Sequence, residues 1–464
     1  MEKRLRVCFV LEGSYPYITG GVSSWVHDLI RGMPEIDFVL FSISPEDEQT
    51  LKYELPENVV EHRDIVLSEI KKNRAKIKNK KKTLKLIRDM HQSFTSKSKV
   101  NIEEMIERMP EGYYAYSDSV NSDIGWDMIG SSNRKNNPMY SFSDYFWAWR
   151  SSHNMIFTIL GSTPPEADIY HAVSTGYAGL ISIVAKLRYN KPFLLTEHGL
   201  YHKEREMELR KATFIRGYQR DMWIKIYNGL SRLAYQYCDV STSLFEHNRQ
   251  LSKGLGATDE KSLVIPNGID IEHYASVTRV KKEGFHVGLV GRVVPIKDIK
   301  TFITMAKIVH EKIPEAIFHC IGPTDEDPAY YEDCKRLVDN FNLNDVFLFT
   351  GRQNVLEYYS FLDVMLLTSV REAQPLVILE GWSAGVPCVS TKVGNVPEML
   401  DYNENYLASS KDASKLAYCV NYVKNNPEEV AAQMKLNKEK MYRLYNKNDL
   451  YKTYRNLYKK IMDR

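Results

Sequence analysis

Residues 285–297 read Phe285-His-Val-Gly-Leu-Val-Gly-Arg-Val-Val-Pro-Ile-Lys297, an apolar run that ends in two cations. The run up to Gly291 is typical of a strand buried on both faces of a parallel sheet. Arg292 and Lys297 follow it at the carboxyl edge, where open α/β sheets bind their ligands. A fork-shaped guanidinium and a compact ammonium suit a diphosphate. The segment therefore predicts an α/β fold with an anion site at a sheet edge.

About eighty residues downstream, a loop that carries two glutamates runs into an apolar helical stretch: Arg371-Glu-Ala-Gln-Pro-Leu-Val-Ile-Leu-Glu-Gly-Trp-Ser-Ala-Gly-Val-Pro387. Glu372 precedes the predicted helix, and Glu380 lies about a turn and a half into it. Carboxylates accept hydrogen bonds from neighbouring hydroxyls, while a helix N-terminus attracts an anion. The loop therefore predicts a ligand in which a sugar is joined to a phosphate.

Apolar strand-like runs alternate with helical patterns along the chain, which is typical of doubly wound parallel sheets. In the first half, strands are predicted at 5–11, 37–43, 167–173, 192–197, 238–242 and 262–265. In the second half, they are predicted at 285–290, 316–321, 346–350, 363–368 and 386–390. The alternation predicts two Rossmann-like domains facing a cleft. Their predicted extents are residues 1–268 with an insertion at about 45–165, residues 269–445, and a terminal helix over 446–464.

The composition is that of a two-domain globular chain of nearly neutral charge. Its 464 residues exceed the size of one hydrophobic core, and 43% hydrophobic residues suffice to fill two. Six scattered cysteines without a C-x-x-C pair favour reduced, buried thiols and the cytoplasm. We find no signal-peptide pattern and no stretch near the ~18 apolar residues of a membrane span.

Four motifs together resemble one enzyme family. They are the Glu372-x7-Glu380 pair, the Gly291-Arg-x4-Lys297 segment, the Pro266-Asn-Gly-Ile-Asp270 connector and the Gly20-Gly21 loop. From about residue 4 to its C-terminus, the chain is similar to the retaining, nucleotide-sugar-dependent glycosyltransferases of family four, which have the GT-B fold. The resemblance implies transfer from a UDP-sugar, either UDP-glucose or a UDP-N-acetylhexosamine, to a growing saccharide acceptor. It further implies a terminal helix that crosses back to the acceptor-side first domain. No metal or other cofactor is expected, because the two cations can stabilise the diphosphate. No nucleic-acid partner is expected, because the chain shows no recognisable nucleic-acid-binding motif.

Within that family, three segments most resemble the members that serve the Pel exopolysaccharide system. These segments are Leu11 to Trp25, Thr196-Glu-His-Gly-Leu-Tyr201 and Glu372-Ala-Gln-Pro375. The resemblance implies a role in biofilm matrix biosynthesis. It also implies a cytoplasmic enzyme, peripheral at the inner face of the cell membrane, that feeds a membrane-bound synthesis and export partner.

The resemblance assigns roles to residues. Glu372 is expected to meet the donor sugar's hydroxyls and Glu380 the ribose, without a covalent intermediate. Arg292 and Lys297 would take the diphosphate and stabilise its charge as it leaves. The predicted site comprises Gly20, Gly21, His198, Arg292, Lys297, Gly351, Arg352, Glu372, Ala373, Gln374, Pro375, Leu376 and Glu380. Among these, His198 and Gly21 would help to hold the sugar and leaving group, and Gly351-Arg352 would meet the base.

Several of these residues also have a purely structural interpretation. Gly20-Gly21 can be the tight start of a helix, and His198 can be a core histidine. Asp298, where the family often has a small residue, can cap a helix. Ala373-Gln374 replaces the more frequent Gly-Phe, which leaves the donor sugar open. The acidic stretch 325–327 is interpreted as a surface loop rather than a metal site.

Residues 71–88 carry ten cations and no acid, so the remaining chain has a net charge of about −7. An apolar stripe with spacings of three and seven predicts a basic amphipathic helix; its members are Leu67, Ile70, Ile77, Leu84 and Ile87. A solvated helix face is one interpretation, and an anionic lipid, acidic partner or charged polymer is the other. An aromatic cluster farther along can be core or can stack on sugar rings; its members are Trp126, Tyr140, Phe142, Tyr145, Phe146, Trp147 and Trp149.

Two other functions stay open at this point. A sugar-nucleotide epimerase shares the two-domain fold but needs no acceptor and no Glu-x7-Glu pair. A non-catalytic subunit that binds a nucleotide sugar and regulates a membrane synthase is the second alternative. The presence of both glutamates and both cations argues against an inactive site.

Overall fold

The computed structural model describes residues 4–44, 50–96, 102–120, 122–136, 141–215 and 217–463. Tyr140 of the predicted aromatic cluster lies outside these residues. The chain divides into two compact units, residues 1–265 with 453–464 and residues 266–452. The divisions predicted from the sequence lay at 268/269 and 445/446.

The first unit contains a parallel sheet of seven strands in the order β3-β2-β1-β4-β5-β6-β7. The strands are β1 Arg6–Glu12, β2 Asp37–Ser44, β3 Val59–Val66, β4 Ile169–Ala172, β5 Phe193–Glu197, β6 Val240–Ser243 and β7 Ser262–Val264. The helices are α1 Gly21–Arg31, α2 Lys80–Ser96, α3 Ile102–Arg108, α4 Tyr116–Val120, α5 Asp123–Asn136, α6 Phe142–Leu160, α7 Tyr177–Tyr189, α8 Tyr201–Lys211, α9 Gly217–Tyr237 and α10 Glu246–Lys253. The strand order reverses between β1 and β4, so the loops after these strands open at a topological switch point.

The second unit contains a parallel sheet of six strands in the order β10-β9-β8-β11-β12-β13. The strands are β8 Phe285–Val290, β9 Ala316–Ile321, β10 Phe347–Gly351, β11 Val364–Leu367, β12 Cys388–Thr391 and β13 Leu407–Ala408. The helices are α11 Ile271–Ala275, α12 Ile299–His310, α13 Pro328–Asn340, α14 Val355–Tyr359, α15 Leu376–Ser383, α16 Val396–Met399, α17 Ala413–Asn425, α18 Pro427–Leu444 and α19 Lys447–Met462, with a 3₁₀ turn at Pro295–Lys297. Here the order reverses between β8 and β11. The predicted fold class of two doubly wound parallel sheets is confirmed.

The predicted strands form because their apolar runs fill the two cores. Residues 7–11 of β1 are fully buried, and so is most of β8. Strand β3 was not predicted from the sequence. It reads Val-Val-Glu-His-Arg-Asp-Ile-Val66 and forms the sheet's edge, where one neighbour is missing and polar side chains stay in solvent. The stretch 45–165, predicted as an insertion, therefore contains a sheet strand followed by helices α2 to α6.

The predicted basic helix is correct only in its second half. Helix α2 begins at Lys80, and residues 67–79 are irregular, so the stripe is not one continuous helical face. Asn79 has a left-handed backbone (φ 55°), and its side chain accepts from the Lys82 N–H at 3.1 Å. This cap starts the helix there. Leu67, Leu84 and Ile87 are buried, whereas Ile70 is exposed.

The predicted aromatic cluster is split between core and surface. Trp149 and Tyr145 are buried, but Trp126, Phe142 and Trp147 are each more than two-fifths exposed. The Trp126 ring is nearly parallel to the Phe146 ring, with centroids 5.5 Å apart. Core packing therefore explains only part of the cluster.

Helix α19 connects the chain's end to the first unit, to which residues 453–464 belong. The Tyr458 hydroxyl lies 2.8 Å from His171 Nδ1 on β4, and the Tyr454 hydroxyl lies 3.2 Å from Thr196 Oγ1 on β5. Both tyrosines are buried. The terminal helix is thus fixed to the first unit's sheet by polar contacts as well as by apolar packing. No helix of the described chain has both the length and the apolar character of a membrane span.

Candidate functional site

The first group of predicted residues lies in the second unit, on the loops that follow β8 and β11. The Thr368 hydroxyl donates to the Lys297 carbonyl at 2.7 Å, and the Val370 N–H donates to the Ile296 carbonyl at 2.8 Å. These bonds join the two loops at the switch point of the sheet. The predicted cation and carboxylate segments are thereby brought side by side.

Lys297 and Glu372 form an ion pair at this junction. The Lys297 ammonium donates to Glu372 Oε1 at 2.6 Å, and the Ser369 hydroxyl donates to the same oxygen at 2.7 Å. Both charged side chains are less than one-fifth exposed. The pair places an ammonium and a carboxylate where one ligand can contact both. Ser369 was not predicted from the sequence, although it lies only three residues before Glu372.

Arg292 is engaged with a different partner. One Nη atom of its guanidinium lies 2.6 and 2.7 Å from the two carboxylate oxygens of Glu326, and both side chains are about half exposed. Glu326 belongs to the acidic stretch 325–327. That loop passes close to the end of β8 because residue 322 is glycine: a Cβ there would lie 2.1 Å from the Gly291 carbonyl oxygen, at a φ of 149°. The exposed Glu326 carboxylate thus pairs with Arg292, the cation that was predicted to bind the diphosphate.

The acidic stretch also has a structural role. Asp327 precedes α13, and its carboxylate accepts from the Tyr330 N–H at 3.0 Å. This is an ordinary helix N-cap. Asp298 does not cap α12 in this way. Its backbone is left-handed (φ 49°), and its carboxylate accepts from the Thr301 hydroxyl at 2.7 Å rather than from a backbone N–H.

Glu380 lies on α15, five residues into the helix, and is mostly buried. The Tyr359 hydroxyl donates to its carboxylate at 3.2 Å. Burial raises the pKa of Glu380, while the hydroxyls of Tyr359 and Tyr274 lower it in part. Neither tyrosine was predicted, because neither lies near Glu380 in the chain.

The segment between the two glutamates is fixed by backbone contacts. A Cβ on Gly394 would lie 2.2 Å from the Ala373 carbonyl oxygen, and the Asn395 N–H donates to that oxygen at 2.8 Å. The buried Gln374 side chain accepts from the Asn267 N–H at 2.9 Å and donates to the Asn267 carbonyl at 3.1 Å. Gln374 therefore anchors the loop to the connector. Its side chain is engaged there, whereas the sequence assigned it to ligand binding.

Four further predicted positions complete this group. Pro375 precedes α15, and Leu376 is its first residue, packed against the core. Gly351 ends β10 in a left-handed conformation (φ 70°), and its carbonyl accepts from the Gly322 N–H at 2.9 Å. Arg352 follows and is exposed. The end of β10 thus lies beside the acidic loop.

The other predicted residues lie in the first unit, around a cavity of about 260 Å³. It is formed by the loops after β1, β4 and β5, at that sheet's switch point. Gly20 and Gly21 line it at the start of α1, and a Cβ on either would meet no atom within 4 Å. The backbone of these two glycines therefore has open space on the side where a side chain would lie, which allows a ligand to approach it closely. His198 lines the same cavity.

His198 is held against Trp25, with ring centroids 4.5 Å apart in an edge arrangement. Burial lowers its pKa to about 4, so the imidazole is neutral at pH 7. Its Nε2 is buried and has no hydrogen-bond partner among the described residues. His198 thus contributes a neutral ring to the wall of the cavity.

Glu197 lies beside His198 and is buried. It accepts from the Thr175 hydroxyl at 3.1 Å and from the Tyr235 hydroxyl. Burial raises its pKa to about 8, and the hydrogen bonds from the Tyr201 N–H and Thr175 oppose that shift only in part. Glu197 is therefore mainly protonated at neutral pH.

Glu12, at the end of β1, completes the cavity's polar wall. It accepts from the Tyr177 N–H at 2.9 Å and from the Tyr201 hydroxyl at 2.6 Å, and Arg205 Nη2 lies 3.8 Å away. Glu12, Glu197 and Arg205 were not predicted from the sequence. The sequence did contain a signal for Glu12 and Glu197, because each is a polar residue at the end of a buried strand.

Comparison with known proteins gives two family matches. Residues 5–260 match the family described as "Domain of unknown function (DUF3492)", and residues 270–441 match "Glycosyl transferases group 1". The chain is 30% identical to N-acetyl-alpha-D-glucosaminyl L-malate synthase of Bacillus anthracis over 41% of this chain and 51% of that one. It is 27% identical to an alpha-1,3-galactosyltransferase of Escherichia coli that acts on a diphosphoundecaprenol-linked sugar, over 49% and 58% of the two chains. The chain thus spans about half the length of the curated relatives it matches.

Solved structures resemble the whole chain in fold. Anabaena HepE in complex with UDP superposes with a TM-score of 0.63 at 13% identity, covering 98% of this chain and 99% of that one. Sucrose-phosphate synthase of Thermosynechococcus elongatus gives 0.61 at 16% identity, covering 99% and 100%. These likenesses show the GT-B fold.

Proposed function

We propose that this chain, which belongs to the DUF3492 family and carries a glycosyl transferases group 1 domain, is a sugar transferase. It transfers a sugar from a UDP-sugar to a saccharide acceptor with retention of configuration. In this reaction the bond between the sugar's anomeric carbon and the diphosphate oxygen breaks. A new bond forms between that carbon and an acceptor hydroxyl, whose proton leaves with the diphosphate or passes to solvent.

The Lys297–Glu372 pair is the observation that supports this proposal most. An ammonium and a carboxylate 2.6 Å apart at the switch point match a ligand with a phosphate next to a hydroxylated ring. In the proposed mechanism, the Lys297 ammonium gives up its hydrogen bond to Glu372 and donates to the diphosphate instead. There it stabilises the charge that develops as the diphosphate leaves. Glu372 then accepts from the sugar hydroxyls. Arg292 joins Lys297 at the diphosphate after leaving Glu326, and Glu380 binds the ribose.

The test is a panel of nucleotide sugars, incubated with purified protein and a mixture of saccharide acceptors, with release of nucleoside diphosphate as the readout. We expect release from at least one UDP-sugar, and product analysis then reports retention or inversion. Conversion of the donor without release would indicate an epimerase instead. Binding of UDP with no turnover under any condition would favour a regulatory subunit.

Lys297→Ala and Glu372→Ala should each reduce transfer by roughly 100- to 1000-fold, the loss typical of removing one donor that stabilises transition-state charge. Lys300→Ala is a matched control, because Lys300 lies one turn away and pairs with Asp333 at 2.8 Å. Circular dichroism should be unchanged in all three variants. Near-normal turnover in either site variant, or an equal loss in the control, would contradict the assignment.

We further propose that no metal is required, because two cations are already available for the diphosphate. Activity should persist in excess EDTA. Asp325→Ala should be tolerated for the same reason. Loss of activity with EDTA that manganese restores would contradict this proposal.

The finer proposal is a role in Pel-type exopolysaccharide and biofilm matrix synthesis, with UDP-glucose or a UDP-N-acetylhexosamine as donor and a growing polysaccharide as acceptor. The support is the motif resemblance of the segments around Gly20, His198 and Glu372. We propose that the enzyme works on the cytoplasmic side of the membrane, beside a membrane-bound synthesis and export partner. Deleting the gene should abolish the matrix polysaccharide, and the Lys297→Ala variant should fail to restore it.

A further inference from the structure

The orientation of the His198 ring is set by packing. Its Nε2 is buried and has no hydrogen-bond partner among the described residues, so no hydrogen bond at that atom fixes the imidazole. The Trp25 ring meets it in an edge arrangement, with centroids 4.5 Å apart and planes at 73°. Because buried rings are packed closely against their neighbours, a shift of Trp25 moves His198 as well.

Tyr454 of α19 supports Trp25 from the terminal helix. Its side chain is buried, and its ring lies against the Trp25 ring with centroids 5.4 Å apart and planes at 74°. Trp25 therefore contacts the terminal helix through one ring and the cavity wall through another. The three rings form a continuous contact from α19 to His198.

The Tyr454 hydroxyl contacts the strand that leads into His198. It lies 3.2 Å from Thr196 Oγ1 and 3.2 Å from Thr242 Oγ1, and these two hydroxyls lie 2.7 Å apart. Thr196 is on β5, two residues before His198. Tyr454 thus contacts both supports of the imidazole, the Trp25 ring through its own ring and β5 through its hydroxyl.

Tyr458 lies one turn later on the same helix and is also buried, but its contacts differ. Its hydroxyl lies 2.8 Å from His171 Nδ1, and its ring packs on the rings of His171 and Tyr454. It makes no ring contact with Trp25 among the described residues. Tyr458 therefore provides a matched control for the role of Tyr454.

We propose that Tyr454 is a positioning residue of the candidate site, which holds the His198 imidazole in place through Trp25 and β5. The terminal helix is then part of the site as well as of the fold. This inference rests on the proposed function, because it presumes that His198 contributes to sugar transfer. It adds to that site a residue far from His198 in the sequence.

The first experiment is a double-mutant cycle on kcat/KM, with the full chain and the UDP-sugar that it turns over. Tyr454→Leu should lower kcat/KM at least about fivefold in the wild-type background, because small misplacements of a site residue slow transfer strongly. In the His198→Ala background the same change should cost less than about twofold, since residues that act through one another are not additive. Tyr454→Phe keeps the ring contact with Trp25 and should retain most of the activity. Tyr458→Leu should have the same effect in both backgrounds.

The second experiment needs no activity and uses NMR of protein with labelled histidine rings. The His198 signals are assigned by their loss in His198→Ala. Tyr454→Leu should shift them and raise the pKa of His198 from about 4 toward its usual 6.5, because a displaced ring is better solvated. Trp25→Phe should do the same, and it tests the same contact if Tyr454→Leu does not fold. Tyr458→Leu should leave the His198 signals nearly as in the wild type.

An equal loss of kcat/KM from Tyr454→Leu in both backgrounds would overturn the inference. So would unchanged His198 signals in Tyr454→Leu and Trp25→Phe. The same spectral change in Tyr458→Leu would also overturn it, because that change would reflect a general loosening of α19. If no nucleotide sugar is turned over, the proposed function fails, and the NMR comparison alone decides whether Tyr454 positions His198.

Discussion

At the residue scale, both predicted diphosphate cations are already paired with carboxylates in the protein's own fold. The side chains of the Lys297–Glu372 pair are mostly buried, whereas those of the Arg292–Glu326 pair are exposed. An exposed pair contributes only about 0.2–1 kcal/mol and is screened by salt. A diphosphate can therefore displace Glu326 at little cost.

The charge of Glu326 should weaken nucleotide binding slightly. We expect Glu326→Gln to raise the affinity for UDP by less than about fivefold at low salt, which corresponds to the ~1 kcal/mol upper bound for such a pair. The gain should shrink toward zero at high ionic strength. Titration calorimetry checks this, with Glu332→Gln as control because Glu332 pairs with Lys335 on α13. Weaker UDP binding in Glu326→Gln would show that Glu326 supports nucleotide binding rather than competing with the diphosphate for Arg292.

The protonated state of Glu197 has a consequence for stability. Its pKa is about 8 in the fold and ordinary in the unfolded chain, so the folded state holds an extra proton between about pH 4.5 and 8. Its contribution to stability is complete at low pH and is lost as pH rises through that window. Glu197→Gln keeps a neutral, hydrogen-bonding side chain. The difference in unfolding free energy, variant minus wild type, should therefore grow by roughly 2–4 kcal/mol from pH 5 to pH 8.

Denaturant titrations at both pH values measure that difference. Glu206→Gln, which alters an exposed ion pair on α8, should show no comparable trend. A difference that stays constant with pH would mean that Glu197 is ionised in the fold.

At the element scale, the basic segment is a surface made of two parts, the irregular residues 71–79 and the start of α2. Lys80 pairs with Asp118 and Lys82 with Glu104, so these two cations are partly neutralised. Five other lysines are exposed and make no ion pair with any described residue: Lys72, Lys76, Lys78, Lys81 and Lys85. Helix α2 packs on α5, which carries the exposed Trp126. Lysines near an interfacial aromatic are a combination that favours an anionic membrane surface.

We expect changing these five lysines to Gln to release the protein from vesicles that contain anionic lipid, because each cation near such a surface contributes about 1 kcal/mol. The bound fraction in sedimentation should fall at least severalfold, while transfer to a soluble acceptor should not change. The matched control changes five exposed lysines of the second unit by the same charge: Lys281, Lys312, Lys411, Lys435 and Lys438. If both variants sediment equally with the vesicles, the basic segment is a solvated surface and does not bind the membrane.

At the scale of the whole molecule, buried neutral histidines recur in both units. Burial lowers the pKa to about 4 in four of them and well below the usual value in two others; the six are His91, His198, His202, His319, His153 and His171. The unfolded chain binds protons at these side chains below about pH 6.5, and the folded chain does not until about pH 4. Stability is therefore fully present above pH 6.5 and is lost as pH falls.

The loss can reach about 1.4 kcal/mol per pH unit for each histidine. We expect the thermal unfolding temperature to fall steeply between pH 6.5 and 5, as followed by calorimetry. The double variant His91→Gln with His153→Gln should flatten part of that slope. These two rings contact each other at 2.8 Å between α2 and α6. A slope that is the same in the variant would mean that carboxylates, rather than histidines, set the acid sensitivity.

The sequence by itself predicted the two parallel sheets, because short apolar runs such as residues 285–290 and 7–11 that alternate with helical patterns are typical of buried central strands. It also placed Lys297, Glu372, Gly21 and His198 at strand ends, since a motif that follows a strand must emerge at the sheet edge. Only the tertiary structure showed that Lys297 and Glu372 pair with each other, that Arg292 contacts Glu326, and that Gln374 contacts the connector. It alone identified the edge strand β3, because a polar edge strand shows no apolar alternation. It alone showed the late start of α2, because the helical spacing of apolar residues continues through the irregular segment 67–79. Glu12, Glu197 and Arg205 come from distant parts of the chain, and their shared cavity exists only once β1 and β5 lie in one sheet.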